Sequence, residues 1–259
     1  MSGTRASRHS MLAAILVGPL TMTVAVSSPA EEGVHWGYSG AMGPDKWGSL
    51  EHEYSSCALG HAQSPIDISD GSVHRETLPS IAFTYQPSPL RIIDNGHTIQ
   101  VNCAPGSFID VGGRRYQLVQ FHFHKPSEEQ IDEKSYDMVA HLVHRDSDGR
   151  LAVVAVLLEK GRASPLIDSL WNHLPAEKNK EIAVDRATIN VADLLPENHT
   201  YYTFTGSLTT PPCTEGVTWF VLQHPVSVSA AEIARFGAIY PMNARPVQPL
   251  NGREVRASN

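Results

Sequence analysis

The hydrophobic residues of this chain occur mostly in short runs or in alternation with polar residues, and glycine, proline and asparagine interrupt them at short intervals. Alternation with period two is typical of a strand with one face in the core, and many such segments separated by turn residues indicate a β-rich domain. The clearest segments are "SIAFTYQ", "LRIIDNGHTIQVN", "YQLVQFHFH", "DMVAHLVHR", "RLAVVAVLLEK" and "GVTWFVLQHPVSV". The pattern predicts a mainly β fold, built on a large, twisted, mostly antiparallel central sheet.

Helical spacing is sparse. Residues 164–174, "SPLIDSLWNHL", have apolar residues three and four apart, which predicts one short helix. A second helix is predicted in "SAAEIARFGAIY", where Ser229 and Glu232 have the spacing of a capping box. We therefore expect a few short helices at the periphery of the sheet.

The first thirty residues differ from the rest. Two arginines precede an apolar run over residues 11–26, and the small residues "SSPA" follow it. This order is typical of a secretory signal peptide. The run contains Pro19 and is shorter than the roughly 20 residues that a membrane-spanning helix needs. We expect residues 1–30 to be a cleaved signal peptide and residues 31–259, which no repeat or linker divides, to form one domain.

Charge and cysteine content refine this picture. The formal net charge of −7 argues against a basic nucleic-acid-binding surface. An exported chain folds in an oxidising compartment, where two of its three cysteines, Cys57, Cys103 and Cys213, can form a disulfide. Their number alone does not identify the pair.

The segment "QFHFHKPSEE", residues 120–129, suggests a metal site. Residues two apart on a strand point to the same face, so Gln120, His122 and His124 share one. Neutral imidazoles are common zinc ligands, and a catalytic zinc usually has three protein ligands. The segment "DMVAHLVHR" offers His141 and His144 as the third, but the two have opposite parity and periodicity does not choose between them.

A second interpretation fits the same residues. A His-x-His pair followed by Glu128 resembles the first metal motif of the cupins, in which the glutamate is itself a ligand. That resemblance implies a cupin-like dioxygenase or isomerase that uses iron or manganese. The second cupin motif, a Pro-x-Gly shortly before a histidine, is not evident downstream.

Seven segments occur in order from about residue 35 to residue 250: "HWGY" at 35, "QSPIDI" at 63, "NGHTIQVN" at 95, "QFHFH" at 120, "AHLVH" at 140, "GSLTTPPCTEGVTW" at 206 and "NARPVQPL" at 243. Together they resemble the alpha-class carbonic anhydrases of the exported bacterial type. The resemblance implies a zinc lyase, a carbonate dehydratase, that reversibly hydrates carbon dioxide to bicarbonate and a proton through a zinc-bound hydroxide. It also implies that Zn²⁺ is held by His122, His124 and His141, and that His144 is a packed core residue.

The same resemblance implies roles for other residues. Thr209 would donate its hydroxyl hydrogen to Glu128, so that its oxygen must accept the hydrogen of the hydroxide. His97 would pass the released proton to buffer, as a histidine with a pKa near 6.5 can. The apolar side of the substrate pocket would be formed by Val143, Val153, Leu208 and Trp219. The polar side would be formed by Tyr38, Asn95 and Gln100, with Thr210 above the metal.

Metal-bound histidines usually donate their second ring N–H to an outer acceptor. By resemblance, Gln120 would accept from His122, and the backbone carbonyl of Asn243 would accept from His124.

The chain departs from the family around the third ligand. The usual glutamate two residues before His141 is Val139 here, and Glu129 replaces the histidine that usually follows the threonine-binding glutamate. Phe204 stands where many relatives carry a tyrosine. We predict that Glu129 accepts the free ring N–H of His141.

The resemblance also implies a Cys57–Cys213 disulfide, with Cys103 as a free thiol, and carbon dioxide, bicarbonate and water as small-molecule partners. The signal-peptide pattern indicates secretion, which for the exported bacterial type means the periplasm, and the short apolar run argues against a membrane span in the mature chain. Exported relatives are often homodimers, although no segment of the sequence identifies an interface. The alternative is a non-catalytic carbonic-anhydrase-like binding module, which would keep the fold and lose metal ligands.

Overall fold

The structure is a computed structural model that describes residues 1–3 and 35–259. Residues 35–259 lie within one compact unit. The predicted signal peptide, apart from its first three residues, lies outside the described part of the chain. Within that part, no helix has the length and apolar character needed to cross a membrane.

Strands make up most of the regular structure. They are β1 (Asp67–Ile68), β2 (His74–Glu76), β3 (Ala82–Thr84), β4 (Ser88–Asp94), β5 (Ile99–Asn102), β6 (Phe108–Val111), β7 (Arg114–His124), β8 (Gln130–Ile131), β9 (Lys134–Ser135), β10 (Met138–Arg145), β11 (Leu151–Lys160), β12 (Ile182–Ile189), β13 (Tyr201–Ser207), β14 (Glu215–Leu222), β15 (Val226–Val228) and β16 (Arg256–Ser258). The α-helices are α1 (Trp47–Leu50), α2 (Ser56–Leu59), α3 (Pro165–Trp171) and α4 (Ala230–Ile239).

One 13-stranded sheet dominates the fold. Its main path runs in the order β12-β4-β5-β7-β10-β11-β14-β13-β16-β2, with β3, β6 and β15 attached beside it. Most neighbouring strands are antiparallel; β11–β14, β11–β15 and β16–β2 are parallel. A small sheet, β1-β8-β9, stands apart. The predicted fold class, a large and mostly antiparallel sheet with short helices, is confirmed.

The central strands are buried on both faces. In β11 the residues Ala152–Leu158 are all buried, which explains why this strand reads as a continuous apolar run instead of an alternation. Leu142 and Val154 belong to a large apolar cluster on one face. Val139 and Val153 belong to a smaller cluster on the other face, and this second face carries the histidines of the candidate site.

The two predicted helices are present. α3 is shorter than the predicted segment and begins after Ser164, whose side chain accepts from the backbone N–H of Ile167. α4 begins with the predicted capping box of Ser229 and Glu232. The buried Glu232 carboxylate also accepts from the backbone N–H of Ser164 at 3.0 Å, so one carboxylate caps α4 and holds the start of α3.

The predicted disulfide joins Cys57 in α2 to Cys213, which lies between β13 and β14, and Cys103 remains free. The bridge packs against the fully buried Trp47. Because it links residues separated by 156 positions, it closes a long loop in the unfolded chain.

We expect the double variant Cys57→Ser/Cys213→Ser to lose up to about 5 kcal/mol of unfolding free energy, the loop-closure value for this separation and an upper bound in practice. Urea unfolding of the oxidised protein and the variant measures the difference. Cys103→Ser is the matched control and should cost much less, because Cys103 closes no loop. Peptide mapping that recovered Cys57 linked to Cys103, or an unchanged urea midpoint in the double variant, would contradict this assignment.

Candidate metal centre and active site

The candidate site is built on the pairing of β7 with β10. In this antiparallel pair His122 lies directly opposite His141, and His124 lies two residues further along the same face of β7. One potential ligand atom from each histidine lies within 4.8 Å of the others. The three histidines that the resemblance assigned to the metal are therefore brought together.

The pairing of β10 with β7 places His141, and not His144, beside the other two histidines. The register of β10 on β7 shifts between Val143 and His144, so that His144 lies opposite Leu118. Its Nε2 lies 2.8 Å from Tyr85 Oη, in the interior on the other side of the sheet. Burial lowers the pKa of His144 to about 3. His144 is therefore a neutral core histidine.

Two of the three rings are oriented by neutral oxygen acceptors. Gln120 Oε1 lies 2.9 Å from His122 Nδ1, and the backbone oxygen of Asn243 lies 2.7 Å from His124 Nδ1. Carbonyl oxygens only accept, so in both rings Nδ1 carries the hydrogen and Nε2 keeps its lone pair. These are the acceptors that the resemblance named.

The third ring has a charged acceptor. Glu129 Oε2 lies 3.0 Å from His141 Nε2. Both residues are buried, and Val139, two residues before His141, is apolar. Burial works to lower the pKa of His141, but the charge and hydrogen bond of Glu129, together with the charge of Glu128, raise it. In this ring Nε2 is the donor, and Nδ1 is left for a ligand.

The residues present fit a divalent metal ion. Among the described residues, the buried Nε2 of His124 has no hydrogen-bond partner. Burial lowers the pKa of His122 to about 3 and that of His124 well below its ordinary value, so both rings are neutral and able to ligate. Three imidazoles are a donor set that suits zinc. Two buried carboxylates nearby would be stabilised by a positive ion.

Glu128 faces the histidines. Its Oε2 lies 3.4 Å from His124 Nε2 and 3.8 Å from His141 Nδ1, and its Oε1 accepts from the backbone N–H of Arg245 at 2.7 Å. Burial raises the pKa of this carboxyl to about 7, while the hydroxyl of Thr209 interacts with it and acts in the opposite direction. Thr209 and Glu128, paired by the resemblance, are thus neighbours.

Arg245 is a residue of the site that the sequence analysis missed. Its guanidinium donates to the backbone oxygens of Ser64 at 2.7 Å and of Cys57 at 3.0 Å, and to Gln63 Oε1 at 2.9 Å. One residue therefore connects Glu128 to the disulfide. The signal available was its segment, "NARPVQPL", which contributed to the resemblance without a role for the arginine.

Thr209 and Thr210 lie in a tight loop between β13 and β14. The backbone N–H of Leu208 donates to the carbonyl of Thr214 at 2.9 Å, and that of Cys213 donates to the carbonyl of Thr210 at 2.8 Å. Because Cys213 is also the disulfide partner of the α2 cysteine, the bridge fixes the loop that presents the threonines.

The four residues expected on the apolar side are neighbours. Val143, Val153, Leu208 and Trp219 belong to one cluster, in which Val143 pairs with Val153 and Val153 pairs with Trp219. The Trp219 ring lies 4.9 Å from the ring of His141. An apolar surface therefore adjoins the third histidine.

The expected polar residues lie along other edges of the site. Gln100 pairs with His122 across β5 and β7, and Asn95 Nδ2 donates to Gln100 Oε1 at 3.3 Å. Tyr38 packs against Trp47 and the Cys57–Cys213 disulfide, and burial together with the charge of Glu128 raises its pKa well above the ordinary value.

His97 differs from the expectation of a near-neutral pKa. Its ring stacks on Trp36, with 3.7 Å between centroids, and the ring of His35 lies 5.6 Å away. Burial, and secondarily the positive charge of His35, lower the pKa of His97 to about 4. In this arrangement the ring is a poor proton acceptor at neutral pH.

Fold and site together define a β-sheet protein with three histidines placed so that they could hold a metal ion. The family model described as eukaryotic-type carbonic anhydrase matches residues 42–259. A carbonic anhydrase of Nostoc sp. is 42% identical over 234 residues, which is 89% of each chain.

Solved structures give the same result. A hyperthermostable carbonic anhydrase from a hydrothermal vent chimney superposes with a TM-score of 0.84 and 45% identity, covering 87% of this chain and 100% of that one. The α-carbonic anhydrase of Thermovibrio ammonificans superposes with a TM-score of 0.83 and 42% identity, covering 86% and 99%. The chain belongs to the eukaryotic-type, or alpha, carbonic anhydrase family, and this sets the cupin interpretation aside.

The stacking of His97 on Trp36 can be tested directly. We expect Trp36→Ala to raise the pKa of His97 from about 4 toward its ordinary 6.5, because water then reaches the ring and solvates its charged form. An NMR titration of the histidine ring resonances measures the shift. Phe83→Ala, which removes an aromatic ring from a different histidine, His199, is the control and should leave the pKa of His97 unchanged. An unshifted pKa in Trp36→Ala would show that stacking is not the cause.

Proposed function

We propose that this chain is a zinc enzyme that catalyses the reversible hydration of carbon dioxide to bicarbonate and a proton. Family membership supports the reaction. The observation that carries the zinc assignment is the convergence of His122, His124 and His141, each with one ring nitrogen committed to an outer acceptor and the other available. Zinc bound there would acidify a coordinated water and so supply a nucleophile at neutral pH.

Thr209 and Glu128 would orient that nucleophile. An ionised carboxylate only accepts hydrogen bonds, and a hydroxyl has a single hydrogen to donate. If Thr209 donates to Glu128, its oxygen is left to accept from the attacking group, which turns a lone pair toward the substrate. A neighbouring dication favours the ionised form of Glu128 against the effect of burial.

The apolar side of the site would bind the substrate, and the released proton would leave along the polar side. Carbon dioxide has no charge, so the apolar surface of Val143, Val153 and Trp219 suits it better than polar groups would. Proton release requires an acceptor on the polar side, and His97 is the residue that we propose for it. Its low pKa in the stacked arrangement implies that it carries a proton efficiently only when its ring leaves Trp36.

A non-catalytic binding module is the alternative function. It would need neither a complete ligand set nor the contact between Thr209 and Glu128, and this chain has both. The catalytic assignment is therefore preferred.

We also propose that residues 1–30 direct export to the bacterial periplasm. The Cys57–Cys213 disulfide supports a compartment outside the reducing cytosol. Homodimerisation stays a prediction from the resemblance.

Stopped-flow hydration of carbon dioxide tests the proposed reaction. We expect the purified protein to contain one zinc per chain, to lose activity when a chelator removes it, and to regain activity when zinc is restored, because the three imidazoles hold the metal. His141→Ala should lose zinc and activity together, while His144→Ala, if folded, should keep its zinc. Hydration that persisted at full rate in zinc-free protein would refute the proposal.

The role of His97 has a separate signature. We expect His97→Ala to slow turnover most in weak buffer, and added imidazole to restore it, because metal and substrate pocket stay intact while a proton acceptor is lost. His199→Ala is the matched control and should behave as the unmodified protein at every buffer concentration. A loss in His97→Ala that was equal at all buffer concentrations would assign the proton to another route.

A further inference from the structure

We infer that Glu129 is the positioning residue of the metal centre: its carboxylate fixes the tautomer and orientation of His141 and so governs how firmly the metal is held. The inference rests on the proposed function. Glu129 lies in the loop after β7, whereas the histidine that it orients lies in β10.

The contact is buried and charge-assisted. Glu129 is fully buried, and its Oε2 lies 3.0 Å from His141 Nε2. Hydrogen bonds to an ionised acceptor are roughly twice as strong as neutral ones. The acceptors of His122 and His124 are an amide and a backbone carbonyl. His141 is therefore the ring of the three with an anionic acceptor.

The strand that carries His141 supplies no acceptor of its own for the ring N–H of this histidine. Val139 lies on the same face of β10 two residues earlier and belongs to the apolar cluster with Trp219 and Phe204. These three side chains offer no carboxylate to the ring. The tryptophan N–H is directed elsewhere, to the backbone oxygen of Ser207 at 3.1 Å.

The backbone around Glu129 is held on both sides. Ser127 Oγ donates to the carbonyl of Glu129 at 2.7 Å and accepts from the backbone N–H of Tyr136 at 2.8 Å. The next residue, Gln130, begins β8 and pairs with Asp67 of β1. The loop therefore presents the carboxylate from a fixed position, which is what an orienting acceptor requires.

The second carboxylate oxygen supports the same inference. Glu129 Oε1 is buried and has no hydrogen-bond partner among the described residues. Burying a carboxylate is costly unless positive charge compensates it. A metal ion on the opposite nitrogen of His141 would supply that charge through the ring, so Glu129 and the metal stabilise each other.

The test measures metal retention. Zinc-loaded protein is mixed with an excess of chelator, and the rate of zinc loss is followed for Glu129→Gln, Glu129→Leu and the unmodified chain. We expect Glu129→Leu to lose zinc roughly 10- to 100-fold faster, as for other outer acceptors. Glu129→Gln should fall between, because its amide oxygen still accepts but carries no charge. NMR should show the ring N–H resonance of His141 shifted or lost in the same order.

Glu232→Gln is the matched control, since Glu232 is another buried glutamate, one that caps backbone N–H groups of α3 and α4. It should lower thermal stability and leave the rate of zinc loss unchanged. If Glu129→Leu does not fold, the graded effect in Glu129→Gln decides. Zinc loss at the unmodified rate in the folded Glu129 variants, or equal acceleration in Glu232→Gln, would overturn the inference. An unmodified chain that failed to bind zinc would instead overturn the proposed function.

Discussion

The register of β7 on β10 is the constraint on which the candidate site depends. It places His122 opposite His141 and brings the three histidines within 4.8 Å of one another. A slip of one residue would turn every side chain of β10 to the other face and replace the third imidazole with an apolar group. The register is held by the apolar residues on both faces of β10, because a slip would expose or mismatch all of them at once.

Burial has two opposite effects in this site: it makes the histidines suitable metal ligands, and it destabilises the neighbouring carboxylates. It keeps His122 and His124 neutral, which a metal ligand requires. The same burial removes two adjacent carboxylates, Glu128 and Glu129, from water, which costs free energy when they are ionised. The structure supplies each with a donor, a backbone N–H for Glu128 and an imidazole for Glu129, and a dication held by the three histidines would offset the remaining charge.

Distant parts of the chain stabilise this arrangement through few contacts. Arg245 connects Glu128 to the backbone of Cys57, and the disulfide continues to the loop of Thr209. Asn243, fully buried, accepts from His124 through its backbone and donates its amide hydrogens to the carbonyls of His97 and Phe123. These long-range connections explain why residues so far apart in sequence can share one site.

The fold class, the two helices, the capping box of the second helix and the face shared by His122 and His124 could be predicted from the sequence, because periodicity and capping are local properties. The resemblance supplied the family and the disulfide pair. Local pattern could not show whether His141 or His144 faces the other two histidines, because alternation along one strand does not say which face meets the neighbouring strand. The register of the folded sheet places His141 there. The stacking of His97 on Trp36, with its lowered pKa, was not expected from the sequence, because the contact joins segments whose distance only the folded sheet defines. The contact of Glu129 with His141 was a prediction from the departures of this chain from its family, and the folded sheet gives it a distance of 3.0 Å.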